Sequence, residues 1–213
     1  MPESLPPTRS TTPPRVMVET AFLASTTAIL FLINFYFPIG PFLRMLFPLP
    51  AGLLFMRWGA RSAWMMTVVA ALLLGILMGP TRSIQYLIPH GITGITLGWL
   101  WCLGVPWAVS LAVGTLISSI GLLFQVAFLS VLVGENIWQY AIVQVTGLLS
   151  WIMQLFGSLD QPDIAVIQVA ALGMIAFSSF AYQILVHLVG WFLLDRLGNP
   201  IPNPPRWLED LLA

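Results

Sequence analysis

Apolar residues in this chain neither alternate nor repeat on a single helical face; they fill near-continuous runs of about 17 to 34 residues, separated by short groups rich in Gly, Pro and Arg. A helix needs about 20 mostly apolar residues to cross the hydrocarbon layer of a bilayer, so the pattern predicts an all-α, polytopic membrane bundle. Helices are expected over residues 16–37, 42–58, 62–79, 83–101, 107–134 and 164–197. The breaks carry turn chemistry: Pro38-Ile39-Gly40-Pro41, Gly79-Pro80-Thr81-Arg82 and an uncharged connector from Cys102 to Pro106. The second run is short and holds Pro48 and Pro50, which predicts a short or irregular helix. At about 1.5 Å per residue the fifth and last runs exceed the roughly 30 Å hydrocarbon layer and should tilt or protrude.

Residues 135–163 break the pattern. Glu135, Asn136, Gln139, Gln144 and Gln154 interleave with Trp, Ile and Leu, which suits an amphipathic helix lying in the interface at about 136–160. Arginine placement bears on the choice, because short cytoplasmic loops collect positive charge. With six spans and an interfacial helix, Arg9, Arg15, Arg57, Arg61, Arg196 and Arg206 are cytoplasmic, and only Arg44 and Arg82 lie outside. A seventh crossing would move Arg196 and Arg206 outside and weaken that bias. The expected plan is therefore about six transmembrane helices plus an interfacial helix, with both termini cytoplasmic. Residues 1–15, rich in Pro, Ser and Thr, are expected to form a solvated tail, residues 16–198 the membrane domain, and residues 199–213 a C-terminal cytoplasmic tail.

Composition agrees: 58% of residues are hydrophobic and 8% charged, against roughly 25% charged in soluble domains. All eight basic residues are arginine and the formal net charge is zero, so nothing points to nucleic acid as a partner. The lone Cys102 excludes an internal disulfide and is expected to be a small packing residue.

On this topology the polar residues sort by depth. Asn34, Arg44, Arg82, Gln85, Tyr86, His90, Gln125 and Glu135 all fall on the outer side, as does Gln168. Intramembrane polar groups are costly unless they pair or face a wet cavity, so this set is the candidate substrate-binding site. Tyr86 and His90, four apart, share a helix face. Arg44 also has two plain readings, a side chain snorkelling to headgroups or a buried pair with Glu135. His187 sits among apolar residues in the inner half of the last helix and reads as structural. Small residues at Ala21, Ala24 and Ala28, and at Gly94 and Gly98, would let another helix approach closely, from a partner or from within the bundle.

No GxxxxGK[ST] loop, HExxH pair or paired intramembrane aspartate occurs in the sequence. The expectation is a protein that is not an enzyme, with no cofactor and no metal site, binding a small-molecule ligand within the lipid bilayer.

The stretches "FLINFYFPIGPFLRMLFPLPAGLLFMRWGARSAW", "MGPTRSIQYLIPHG" and "HLVGWFLLDRLGNPIPNPP" resemble the YybS-like family of uncharacterised bacterial membrane proteins, in its branch of photosynthetic bacteria. That family is similar in architecture to the substrate-binding S-components of energy-coupling factor (ECF) transporters. The resemblance implies six helices in a bacterial inner or thylakoid membrane and a nutrient site near the outer face. It also implies an ECF coupling protein and ATPase subunits as partners, docked through an alanine-xxx-alanine face that Ala24 and Ala28 match, with Ala21 a turn earlier. No vitamin-specific motif matches the outer polar cluster, and the interfacial segment is an addition to the plan. Uptake of a small polar or anionic nutrient is the function it implies; a structural or assembly subunit of a membrane complex is the alternative.

Overall fold

The computed structural model describes residues 14–37, 41–155 and 163–202. These residues are helical almost throughout: α1 Pro14–Tyr36, α2 Pro41–Met45, α3 Leu49–Trp58, α4 Ala60–Met78, α5 Pro80–Tyr86, α6 Ile92–Cys102, α7 Trp107–Val133, α8 Ile137–Leu155 and α9 Ile164–Arg196. A single π-helical turn, Leu87–Gly91, joins α5 to α6. Among the described residues four helices, α1, α4, α7 and α9, are long and apolar enough to cross a membrane.

The runs over 42–58 and 83–101, also expected to cross, are interrupted helices. The run over 42–58 divides into α2 and α3 around Leu46–Pro48, because Pro48 and Pro50 have no amide hydrogen for the helical ladder. The run over 83–101 starts earlier, at Pro80, and is broken by the π turn at Pro89. Pro89 cannot bond the carbonyl four residues back, and the chain widens until Ile92 N–H reaches the Leu87 carbonyl.

The distribution of side chains inverts that of a soluble protein. The interior holds small or hydroxylated residues such as Ala24, Ala28, Ala63, Ala70, Ser62 and Thr67, whereas Phe22, Ile29, Leu72, Ile76, Leu116 and Phe177 face outward. Hydrocarbon is as apolar as leucine, so burying large side chains brings little gain in a membrane; close contact between helices does. The buried threonines return their hydroxyls to their own helices, Thr20 to Val16, Thr27 to Leu23 and Thr67 to Ala63.

Ala24 and Ala28 illustrate this and correct an expectation. They are 0% and 2% exposed and lie in one cluster with Ala63, Met66 and Ala70 of α4, so their face of α1 packs inside the bundle instead of receiving a partner; Ala21 alone of the three is exposed. Gly94 and Gly98 likewise face α3, where a Cβ on Gly94 would lie 2.3 Å from the Pro48 carbonyl oxygen. Cys102 is exposed at the end of α6, not packed.

The two ends of the bundle differ. At one end Arg57 pairs with Glu19 and donates to the Leu197 carbonyl, and Trp58 Nε1 donates to the other Glu19 oxygen at 2.7 Å, tying α1, α3 and α9 together. Residues 199–202 also pack here, with Ile201 buried and Trp107 Nε1 donating to the Pro202 carbonyl at 2.6 Å. The expected C-terminal tail therefore begins with an anchored segment; residues 1–13 and 203–213, which hold most of both expected tails, lie outside the described residues. Glu19→Ala should lower stability by only about 1 kcal/mol in thermal unfolding, because partly exposed pairs are screened.

Helices α7 and α9 run antiparallel and are joined by buried polar contacts. His187 Nδ1–H donates to the Gln183 carbonyl (2.8 Å), which leaves Nε2 to accept from Ser110 (2.9 Å); Gln183 Nε2 donates to Ser118 (2.7 Å) and to the Gly114 carbonyl (3.2 Å). This register makes the last turns of α7 and the first turns of α9 extend together, where α8 covers them through Val145, Ile167 and Ala171. Gln139, Gln144 and Gln154 of α8 are exposed, while Val145 is its one buried side chain.

Candidate functional site

A partly open cavity of about 390 Å³ lies at the end of the bundle opposite the Arg57–Glu19 pair. Its walls come from α1, α2 and the α2–α3 break, α5 with the π turn, α7 and α9. Both helix interruptions therefore border it: irregular backbone is tolerated inside a membrane where it faces a cavity.

Six of the eight expected site residues line this space: Asn34, Arg44, Arg82, Gln85, His90 and Gln125. Arg82 is held on two sides, with Nη1 donating to Gln85 Oε1 at 2.8 Å and its guanidinium carbon 4.5 Å from the centre of the Phe35 ring. That cation–π contact and hydrogen bond fix the head group without neutralising it. Arg44 lies in the last turn of α2, and its backbone carbonyl accepts from the Tyr182 hydroxyl at 2.9 Å. The Tyr182 proton being so committed, its oxygen is the acceptor for His90 Nδ1–H at 3.3 Å. Tyr182 thus ties the broken α2 to α9 and sets the tautomer of His90, whose ring also meets Phe47 edge-on at 5.1 Å.

Two expected site residues lie elsewhere. Tyr86 is fully buried in the α1–α4 core, where its ring meets Phe31 edge-on at 6.1 Å. Tyr86 is enclosed by α1 and α4 just before the π turn, whereas His90, inside the turn, lines the cavity. Glu135 is exposed in the α7–α8 turn and accepts from the Tyr140 hydroxyl at 3.0 Å; it is neither in the cavity nor paired with Arg44. Gln168 is also exposed, far along α9 from the lining residues.

Sequence reasoning missed Tyr182 with Ser178 and Ser179 on α9, Ser118 on α7, and an aromatic wall of Phe31, Phe35 and Phe47. Depth along α9 could be counted inward from Arg196, with Tyr182 about 21 Å along the helix and Gln168 about 42 Å, but hydropathy did not mark Tyr182 as a lining residue. The same count from Trp107 puts Gln125 at about 27 Å and Glu135 at about 42 Å, too far to share one site. His187, read as structural, is fully buried at the other end of the α7–α9 seam and does not line the cavity.

The cavity can therefore offer two guanidinium groups, three side-chain amides, hydroxyls and an aromatic flank to a ligand, with no carboxylate among the described residues of its lining. Residues 25–209 match the family model described as "Predicted membrane protein (DUF2232)". No curated protein and no solved structure matches the chain.

Proposed function

The chain belongs to the DUF2232 family of predicted membrane proteins, and from that premise we propose that it is a substrate-binding subunit, similar to ECF S-components, that takes up a small polar or anionic nutrient. The observation that carries this reading is the cavity of about 390 Å³ with Arg44 in its wall. It falls within the roughly 300–1,000 Å³ of small-molecule sites, and a scaffold built only to hold neighbours would fill that space with side chains. In the proposed topology α2–α3 and α5–α6 each complete one crossing as broken helices, giving six spans. The arginine bias then puts both termini in the cytoplasm and the cavity on the outer side. Helix α8 lies in the outer interface. The chain would deliver its ligand by moving against a coupling protein and ATPase subunits, docked on a face other than that of Ala24 and Ala28.

One observation favours the alternative, a structural or assembly subunit: α8 exposes Tyr140, Val143, Trp151 and Leu155 along its length. Purification from native membranes in mild detergent, followed by mass spectrometry of co-purifying proteins and released small molecules, separates the two. The expected result is one stoichiometric metabolite, with a coupling protein and ATPases. An unrelated membrane complex carrying this chain with its cavity empty would establish the assembly role instead.

A further inference from the structure

The charge of the lining carries the ligand-binding reading one step further. Resting on that reading, we infer that the ligand's head bears two negative charges on oxygen, as a phosphate monoester, phosphonate or dicarboxylate does, with Arg82 as the fixed anchor and Arg44 as the second cation.

Two guanidinium groups share one partly enclosed space whose lining, among the described residues, contains no Asp or Glu. The ion pair found among the described residues, Arg57 with Glu19, belongs to the opposite end of the bundle. Arg44 is exposed and Arg82 half-buried, and two like charges facing one concavity repel unless something of opposite sign joins them, so the pair favours a doubly negative guest. A neutral molecule leaves both charges uncompensated, and a monocarboxylate leaves one.

Hydrogen-bond supply points the same way. The Arg82 fork has one edge on Gln85 and one face on Phe35, which holds its orientation and leaves its other N–H groups without partners among the described residues. Gln85 accepts that bond through its oxygen, so the group it can still offer is its NH2. The amides of Asn34 and Gln125 line the same space. Guanidinium forks match the paired oxygens of carboxylate and phosphate, and amide donors can meet those that remain. Phe31, Phe35 and Phe47 form an apolar flank, with Phe31 and Phe47 centred 5.0 Å apart, and suit an apolar or planar body behind the head.

The test uses the full chain in nanodiscs of phosphatidylcholine, at mildly alkaline pH so that a phosphonate is fully ionised. Binding of phenylphosphonate, phthalate, benzoate and benzyl alcohol is followed by calorimetry and by melting temperature. The dianions are expected to bind at least about tenfold more tightly than benzoate, a factor worth about 1.4 kcal/mol, and benzyl alcohol weakest. Arg82→Gln and Arg44→Gln should each reduce dianion affinity at least about tenfold. Without ligand, Arg44→Gln should melt no lower than the wild type, since it relieves like-charge repulsion, whereas Arg82→Gln also gives up its contacts with Gln85 and Phe35 and should melt slightly lower. The affinity order of the four probes on the wild type is decisive even if a variant fails to fold. Benzyl alcohol binding as tightly as phenylphosphonate, or no dianion raising the melting temperature, overturns the inference. A neutral metabolite recovered from native membranes also overturns it while leaving the ligand-binding reading intact. Nanodiscs doped with phosphatidic acid identify the source: competition with phenylphosphonate supports the dianion site with a lipid headgroup as its natural guest, and then it is the nutrient reading that falls.

Discussion

Gly94→Ala is expected to lower the melting temperature of the purified protein sharply and to reduce the yield of monodisperse material. A Cβ at this position would lie 2.3 Å from the Pro48 carbonyl oxygen and 3.0 Å from Ala51 Cβ, well inside contact distance. The obstacle is backbone, so no rotamer change relieves it and α3 must move away from α6. That motion would also open the next contact of the same crossing, where a Cβ on Gly98 would lie 2.8 Å from the Gly52 carbonyl oxygen. Overpacking a core typically costs about 1–3 kcal/mol, and a single methyl group against backbone belongs at the upper end of that range. Gly173→Ala is the control: nothing lies within 4 Å of its Cβ position in α9, so better helix propensity should leave stability unchanged or raise it by up to about 1 kcal/mol. Equal melting of Gly94→Ala and wild type would mean that α3 and α6 do not cross this closely. Since α3 follows directly on the segment bearing Arg44 and Phe47, the same substitution should also weaken ligand binding.

His187→Ala is expected to cost about 3 kcal/mol, measured by thermal unfolding in detergent, because it empties a ring-sized volume inside the bundle. The imidazole is 0% exposed and its ring lies 5.6 Å from that of Trp101 and 5.4 Å from that of Trp107. It also joins α9 to α7 through Ser110. His187→Phe keeps the volume and loses the hydrogen bonds; its cost should be nearer 1 kcal/mol, since the Ser110 hydroxyl still has the Trp107 carbonyl at 3.1 Å. Neither change should alter dianion affinity in a folded protein, because His187 does not line the cavity. An alanine variant as stable as wild type would show that the α7–α9 seam is not held at this point.

Several parts of the site were readable before the structure. Asn34, Arg44, Gln85, His90 and Gln125 are polar residues inside otherwise apolar runs, and the cost of such residues in hydrocarbon is enough to single them out; Arg82 stands in the break just before one such run. Tyr182 was harder to see, since an aromatic residue in "FAYQILVHL" differs little from its neighbours by hydropathy. Glu135 was misjudged for another reason. Side of the membrane was read from order along the chain, whereas α7 and α9, with 27 and 33 residues, run well past the level of the cavity.

What the sequence determined by itself was the solvent and the class of fold. Long apolar runs with rare charges can satisfy their backbone only as helices packed in a membrane, and prolines at Pro48 and Pro89 interrupt a helix wherever it sits. The tertiary structure alone decided which faces meet. Small residues permit close approach without naming the partner, so only packing could assign Ala24 and Ala28 to α4, Gly94 and Gly98 to α3, and Gly114 to Gln183. The site is equally a tertiary matter: packing of α1 and α4 encloses Tyr86, while His90, four residues on, is left to line the cavity beside two arginines that lie far apart along the chain.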